Sequence, residues 1–230
     1  MPIKAVILDL DGTVATFNLD YKTVRALVKG YLIGKRVPAS ILSLKESVFE
    51  MLRKTEMWAQ HSDKPTQFLD EIHRGASEIT EKFELEAAGS TSLLPGVTDT
   101  LKALKRKGLK IGLCTINSEK SAKRILERFN IAAFFDVVIS RNQVKHVKPD
   151  PEHLAAALKL LGVVPEEAVI VGDSRVDMRS AKELKAIAVG IPTGVSTVKQ
   201  LTNAGANYIV TSMSDLPTLL TKLDEQGQSS

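Results

Sequence analysis

The sequence predicts an α/β fold, in which a parallel sheet is flanked by helices and interrupted by an all-α insertion. The first observation is a series of short apolar runs rich in β-branched residues. Because these runs lack strict polar alternation, they are typical of parallel strands buried on both faces. The second observation is the segment 17–90, which contains no such run. The predicted strands are Ala5–Leu8, Ile111–Cys114, Val137–Ile139, Val169–Val171, Ala186–Val189 and Tyr208–Val210.

The segments between the later strands have the start and stop signals of helices. Asp150 is suited to the N-cap of one helix, with Pro151 at its first position and Gly162 at its end. Ser118 is predicted to cap the helix before it. Strands that alternate with single helices favour a parallel sheet with right-handed crossovers.

The insertion has helical patterns only, so it predicts a second, smaller domain. We place this helical domain at 17–90, and the sheet domain at 1–16 and 91–230. The segment Glu86–Pro95 is the predicted return linker, and the polar tail Glu225–Ser230 is expected to fray. The predicted helices of the insertion are Tyr21–Tyr31, Ser40–Met57 and Thr66–Leu85.

Composition excludes several classes of protein. Cys114 is the single cysteine, which excludes a disulfide framework and a cysteine-based zinc site. No apolar run approaches the roughly 18 residues of a membrane span. The run from Ile3 to Leu8 is too short for a signal peptide. We therefore expect a cytoplasmic protein that acts without a membrane, as a monomer or homodimer.

The net charge of +4 and the pI near 9.1 raise the question of a nucleic-acid partner. Segment 17–90 holds 11 Lys and Arg and 11 Asp and Glu, so the excess lies in the sheet domain. The basic run from Lys102 to Lys110 falls at a predicted helix end, where cations are favoured by the helix dipole. It lacks the interleaved aromatic residues of a single-strand binding groove and any helix-turn-helix or zinc-finger pattern. We therefore expect no nucleic-acid partner.

Polar residues follow several predicted strands at the point where each strand ends. Ligands of open α/β sheets bind beyond the carboxyl ends of the strands, so these side chains are expected to converge. Such convergence from separate strands is much less expected by chance than any single acid. The candidate site residues are Asp9, Asp11, Thr115, Asn117, Lys148, Asp173 and Asp177.

The chemistry of this set follows from its charges. Carboxylates within a few ångströms of one another repel, and some would take up protons unless a cation lay among them. Ligands that are all oxygen favour a hard cation, and Mg²⁺ is the usual occupant. Asp9 and Asp11 are two residues apart, so in extended backbone they share a face. One could act as a nucleophile that forms an aspartyl-phosphate, with the other within proton-transfer reach.

These residues carry a resemblance to a known family. Asp9-Leu10-Asp11-Gly12-Thr13-Val14, then Thr115 after a strand, then Lys148-Pro149, then Gly172-Asp173-Ser174 with Asp177, resembles the four signature motifs of the haloacid dehalogenase superfamily of phosphatases. The resemblance covers essentially the whole chain. It implies a Rossmann-like core, with 17–90 in the position of the family's helical cap. The cap position is most similar to that of phosphoglycolate-phosphatase-like members.

The resemblance also implies roles for the candidate residues. Asp9 would be the nucleophile, and Asp11 the general acid and later the base. Thr115 and Lys148 would bind the phosphate, and Lys148 would also steady the nucleophile. The implied Mg²⁺ set is Asp9, Asp11, Asp173 and Asp177, with an orienting role as the alternative for Asp177. The implied substrate is a small phosphorylated metabolite, with phosphoglycolate as the default.

Some alternatives stay open at this stage. Many members of the family have Asn directly after the motif Thr, whereas here Ile116 intervenes, so Asn117 either binds phosphate or caps a helix. A sugar-phosphate mutase of the same family and a receiver-like phospho-aspartate signalling protein are the rival functions. The four histidines show no metal-ligand spacing and are expected mostly at the surface, with a substrate contact open for His61. They are His61, His73, His146 and His153.

Overall fold

A parallel six-stranded sheet forms the centre of the larger part of the chain. The computed structural model describes residues 2–228, with side chains through Glu225. The strand order is β3-β2-β1-β4-β5-β6, and every neighbouring pair is parallel. The predicted α/β class and all six predicted strands are confirmed. The strands are β1 (Ala5–Leu8), β2 (Lys110–Cys114), β3 (Val137–Ile139), β4 (Ala168–Gly172), β5 (Ile187–Gly190) and β6 (Tyr208–Ile209).

Helices cover the sheet, which explains why its central strands are apolar throughout. β1 and β4 are buried at every residue. Ile7, Ile170 and Ala188 share one apolar cluster with Leu154 and Met178 from helices of the same face. The helices of this part are α4 (Val97–Arg106), α5 (Glu119–Arg128), α6 (Pro151–Leu161), α7 (Arg175–Glu183), α8 (Val198–Ala204) and α9 (Leu216–Gln228).

The predicted helix boundaries hold where a capping residue marks them. Asp150 accepts a hydrogen bond from Glu152 N at 2.9 Å, and Gly162 ends α6 in the left-handed region at φ 62°. The Ser118 side chain caps α5. The predicted fraying concerns 225–230, where α9 continues to Gln228 and residues 229–230 lie outside the described residues.

The chain divides into two compact units, Met1–Asn18 with Ser90–Ser230, and Leu19–Gly89. We call them the sheet unit and the helical unit. The helical unit contains α1 (Tyr21–Gly34), α2 (Val48–His61) and most of α3 (Thr66–Ser90). Its core contains Val28, Leu32, Met51, Ile72 and Ala76. The α2 helix starts at a capping box on Ser47 instead of at Ser40.

The two connecting segments are paired instead of loose. Ala15 bridges Leu93 in antiparallel fashion, and Thr16 N donates to Ser92 O at 2.8 Å. The predicted linker Glu86–Pro95 was wrong in its first half, because α3 continues through Gly89 to Ser90. None of the described helices has the length and hydropathy needed to cross a bilayer.

Candidate active site

The predicted site residues lie at the carboxyl ends of three adjacent strands. Asp9 follows β1, Thr115 follows β2 and Asp173 follows β4, and β1 lies between the other two strands in the sheet. Parallel pairing in register brings these strand ends to one edge. Lys148 reaches the same edge from the segment before α6.

Lys148 connects three groups of the site through its side-chain amine. Its Nζ donates to Asp9 Oδ1 at 2.7 Å, to Asp177 Oδ1 at 2.6 Å and to the Cys114 carbonyl at 2.7 Å. All three ammonium protons therefore have acceptors. Burial lowers the pKa of Lys148, but Asp177 and Asp9 raise it, and the net pKa lies well above its usual range. The amine therefore stays charged, and its position is fixed from three sides.

Asp177 is held on both of its oxygens. Oδ1 accepts from Lys148, and Oδ2 accepts from the Ser174 hydroxyl at 2.5 Å and from Ser174 N at 3.2 Å. Ser174 is the N-cap of α7, and Asp177 completes its capping box. These hydrogen bonds fix the Asp177 carboxylate in contact with Lys148. This contact is consistent with the alternative prediction that Asp177 orients other site residues instead of binding the metal.

The carboxyls of Asp9 and Asp173 are shifted toward the protonated form. Burial raises the pKa of Asp9, Lys148 lowers it and Asp177 raises it, and the result is about 6. Burial, Asp9 and Asp177 together raise the pKa of Asp173 to about 8. The ionised forms therefore require more positive charge than Lys148 provides.

A divalent cation fits this requirement. One oxygen each from Asp9, Asp173 and Asp177 lies within 4.8 Å of the others. The donors are all carboxylate oxygens, which suits a hard cation of the Mg²⁺ or Ca²⁺ type. Asp11, the fourth predicted ligand, does not belong to this group, and its side chain has another contact. A second group, His146, Asp150 and Glu152, is explained by local hydrogen bonds around the start of α6.

Asn117 contacts Asp11 instead of capping a helix. Its Nδ2 donates to Asp11 Oδ2 at 2.6 Å, whereas Ser118 provides the cap of α5. The helix-capping alternative for Asn117 was therefore wrong. Asn117 N donates to Thr115 Oγ1 at 3.1 Å, which orients that hydroxyl. Both Asn117 and Thr115 are buried.

The segment after β5 also contacts the site residues, although no sequence pattern predicted it. Val195 N donates to Asp173 Oδ2 at 2.6 Å, and the Thr193 hydroxyl donates to the Gly12 carbonyl at 2.5 Å. Main-chain groups take part in both hydrogen bonds, the N–H of Val195 in one and the carbonyl of Gly12 in the other, so no pattern of side chains in the sequence predicts them. A glycine after a buried strand end, Gly194, is the one local signal.

His153 was placed wrongly among the surface histidines. It is fully buried on α6, and its Nδ1 accepts a hydrogen bond from Lys148 N at 3.4 Å. Burial, assisted by the charge of Lys148, lowers the pKa of His153 to about 4. The helical periodicity of α6 could have revealed this, because His153 adjoins Leu154 and is four residues before Ala157, both of them buried.

Burial also raises the pKa of Cys114 to about 12, which makes it an inert core thiol.

Comparison with known proteins identifies the family to which this chain is similar. A family model for haloacid dehalogenase-like hydrolases matches residues 3–185. The chain is 34% identical over 246 residues to the phosphoglycolate phosphatase of Shigella dysenteriae, an alignment that covers 99% of this chain and 96% of that enzyme. The match to the Escherichia coli enzyme of the same name, also 34% identical, spans 57% of that enzyme's length.

Two further similarities cover nearly the whole chain. It is 27% identical to pyrophosphatase PpaX of Bacillus mycoides over 226 residues, which are 97% of this chain and 100% of the relative. A hydrolase structure from Pseudomonas syringae superimposes with a TM-score of 0.65 at 22% identity, covering 96% of this chain and 98% of the other. At that identity the structural match shows a shared fold.

Proposed function

The chain belongs to the haloacid dehalogenase-like hydrolases, and from that premise we propose that it is a Mg²⁺-dependent phosphatase acting on a small phosphomonoester through an aspartyl-phosphate. The single observation that carries the proposal is the contact of Lys148 with both Asp9 and Asp177. It leaves one buried, oriented carboxylate at a strand end, which is what a nucleophile in phosphoryl transfer requires.

Asp9 is the proposed nucleophile. Its Oδ1 accepts from Lys148, so that Oδ2 is the oxygen available to attack phosphorus. The bond from phosphorus to the leaving oxygen breaks as the bond to Asp9 forms, and water later hydrolyses the acyl phosphate. The positive charge of Lys148 favours ionised Asp9 and offsets negative charge on the transferred phosphoryl group.

Asp11 is the proposed general acid and, in the second step, the base that accepts the proton of the water. Its contact with Asn117 Nδ2 fixes the direction of the carboxyl. The Thr115 hydroxyl is proposed to donate a hydrogen bond to the phosphate of the substrate. Its oxygen accepts a hydrogen bond from Asn117 N, so its proton can point to a phosphate oxygen. Asn117 therefore supports two site residues at once.

Mg²⁺ is the proposed cofactor, with Asp9 and Asp173 as side-chain ligands. When bound, the ion would neutralise charge that builds up on the phosphate oxygens. Asp177 is proposed as a positioning residue, because both of its oxygens already accept hydrogen bonds. The predicted role of Asp11 as a further ligand remains a proposal.

Phosphoglycolate is the first substrate to test, because relatives of that name match the chain over most of its length. Inorganic pyrophosphate is the second, because the relative named pyrophosphatase PpaX matches over nearly the full chain. Both are compact dianionic or more highly charged phosphates.

The test is a phosphate-release screen with and without Mg²⁺, over phosphoglycolate, pyrophosphate, small sugar phosphates and an aryl phosphate. Asp9→Asn is the matched control, because it keeps an oxygen acceptor for Lys148 while removing the nucleophile. We expect Mg²⁺-dependent release by the wild type and a loss of about three orders of magnitude or more in the variant. Retained activity in folded Asp9→Asn would exclude the mechanism. A stable phosphoprotein without release would favour the receiver-like alternative, and a requirement for a bisphosphate activator would favour the mutase.

A further inference from the structure

The Asp173 carboxylate lies between two glycines from different loops. A Cβ added to Gly194 would lie 2.0 Å from Asp173 Oδ2 and 2.9 Å from the Gly12 Cα. A Cβ added to Gly12 would lie 2.7 Å from the same oxygen and 2.9 Å from the Gly194 Cα. Real side-chain carbons do not approach this closely, so both positions require glycine. The carboxylate has no room to move toward either loop.

The loop after β5 also makes hydrogen bonds on both sides of this contact. Val195 N donates to Asp173 Oδ2 at 2.6 Å, and the Thr193 hydroxyl donates to the Gly12 carbonyl at 2.5 Å. The first bond turns one oxygen of Asp173 toward the loop. The second ties the loop to the turn after β1, which carries Asp9 and Asp11.

We propose that the Thr193–Val195 loop holds Asp173 as a single-oxygen ligand and thereby makes the site prefer Mg²⁺ to Ca²⁺. The inference rests on the proposed function, which supplies the cation. Mg²⁺ demands near-octahedral geometry with one short bond per carboxylate, whereas Ca²⁺ accepts more oxygens and both oxygens of one carboxylate. An oxygen that accepts from Val195 N is turned toward the loop, and the remaining oxygen is the ligand. The loop residues are positioning residues, because they act through Asp173.

The experiment measures Mg²⁺ and Ca²⁺ binding by calorimetry, in the absence of substrate, for three folded proteins. In Gly194→Ala the new methyl group displaces Asp173 Oδ2, so we expect the Mg²⁺ Kd to rise about tenfold or more and the Ca²⁺ Kd to change less. Val198→Ala is the matched control, because Val198 lies outside the Thr193–Val195 loop and its side chain is exposed. It should retain the wild-type preference.

A ratio of Mg²⁺ to Ca²⁺ affinity in Gly194→Ala equal to that of the wild type overturns the inference, whether both affinities persist or fall together. If Gly194→Ala does not fold, Val195→Pro replaces it, since it removes the N–H that binds Asp173 Oδ2, and an unchanged ratio there has the same meaning. Wild-type protein that releases phosphate yet shows an unchanged ratio in the variants retains its proposed function and loses only this inference. Wild-type protein that binds no Mg²⁺ contradicts the proposed cofactor, and this inference with it.

Discussion

Lys148 and Asp177 form a buried ion pair in which Nζ donates to Oδ1 at 2.6 Å, and each side chain is 2% exposed. The pair lies between α7, whose N-terminus Asp177 helps to cap, and Asp9 at the end of β1. Lys148 therefore links the end of one strand to the helix that follows another. Stability and chemistry depend on the same amine, which gives the first prediction.

Lys148→Met should destabilise the protein by about 3 kcal/mol or more at pH 8, because it leaves two buried carboxylates without their cation. Loss of the amine removes the charge that lowers the pKa of Asp9, so that pKa rises further in the folded state. The folded protein then binds more protons, so the loss of stability should shrink as the pH is lowered. Urea unfolding at pH 8 and pH 5 measures both effects.

Lys123→Met is the matched control, because Lys123 is 71% exposed and pairs loosely with Glu127 at 3.8 Å. It should change the free energy of unfolding by less than about 0.5 kcal/mol. A loss in Lys148→Met as small as this would show that the buried pair contributes nothing net to folding.

His153 should make the protein sensitive to acid. Its pKa is about 4 in the folded state, against a usual value of 6.5. Between these values the unfolded chain binds a proton that the folded chain does not, so stability should fall as the pH drops from 6.5 to 4. The effect is about 3 kcal/mol over that window, from roughly 1.4 kcal/mol for each pKa unit.

His153→Asn keeps an acceptor near the position of Nδ1 but does not titrate, so its stability should depend less on pH in this window than that of the wild type. Chemical unfolding at several pH values checks the slope, whatever the offset from the lost ring. His73→Asn, at an exposed position on α3, is the matched substitution and should retain the wild-type slope. Parallel curves for His153→Asn and wild type would refute the linkage.

The sequence was sufficient where the determining interactions are local or periodic. The strands follow from β-branched runs, and α6 follows from Asp150, Pro151 and Gly162, because caps act within one turn. The aspartates of the site follow from the rule that strand ends share an edge. Each of these signals is contained in fewer than about a dozen residues, the scale of helix and strand patterns.

The sequence was insufficient where contacts join distant segments through the main chain. Val195 N, in the segment after β5, donates to Asp173, which follows β4, and the donor is a main-chain group that no side-chain pattern indicates. His153 was judged by its residue type, whereas the α6 periodicity decides its burial. In α3 the helix continues to Ser90 because glycine and serine at its end do not by themselves stop a helix whose other face is packed.

Gly172→Ala should destabilise the site and the fold together. A Cβ at Gly172 would lie 2.4 Å from Asp177 Oδ2, and Asp177 cannot move without losing Lys148 or Ser174. We expect a loss of about 1–3 kcal/mol from overpacking, with a parallel loss of activity. Thermal unfolding and phosphate release measure the two effects.

Gly30→Ala should change the stability of the protein in the opposite direction to Gly172→Ala. Gly30 is exposed within α1, and a Cβ there has no neighbour within 4 Å. Alanine should stabilise the helix by about 0.5–1 kcal/mol. If the two variants change stability equally, the distinction between a packed strand end and an open helix face is wrong.

Asn117→Ala tests whether Asp11 acts as the general acid. Removing Nδ2 releases the bond to Asp11 Oδ2 at 2.6 Å, so the carboxyl loses its orientation, and turnover should fall about 10–100-fold on an alkyl phosphate. An aryl phosphate with an acidic phenol needs little protonation as it departs. Its turnover should fall much less, provided that formation of the phosphoenzyme limits the rate.

The comparison of the two substrates separates this role from general damage to the site. Asn203→Ala, an exposed change in α8, should leave both rates unchanged. If Asn117→Ala lowers both rates equally, the lost amide does not act through protonation of the leaving group, and Thr115 is not the cause, because alanine keeps the main-chain N–H that binds Thr115 Oγ1. If only the alkyl rate falls, protonation of the leaving oxygen by Asp11 is the step that depends on Asn117.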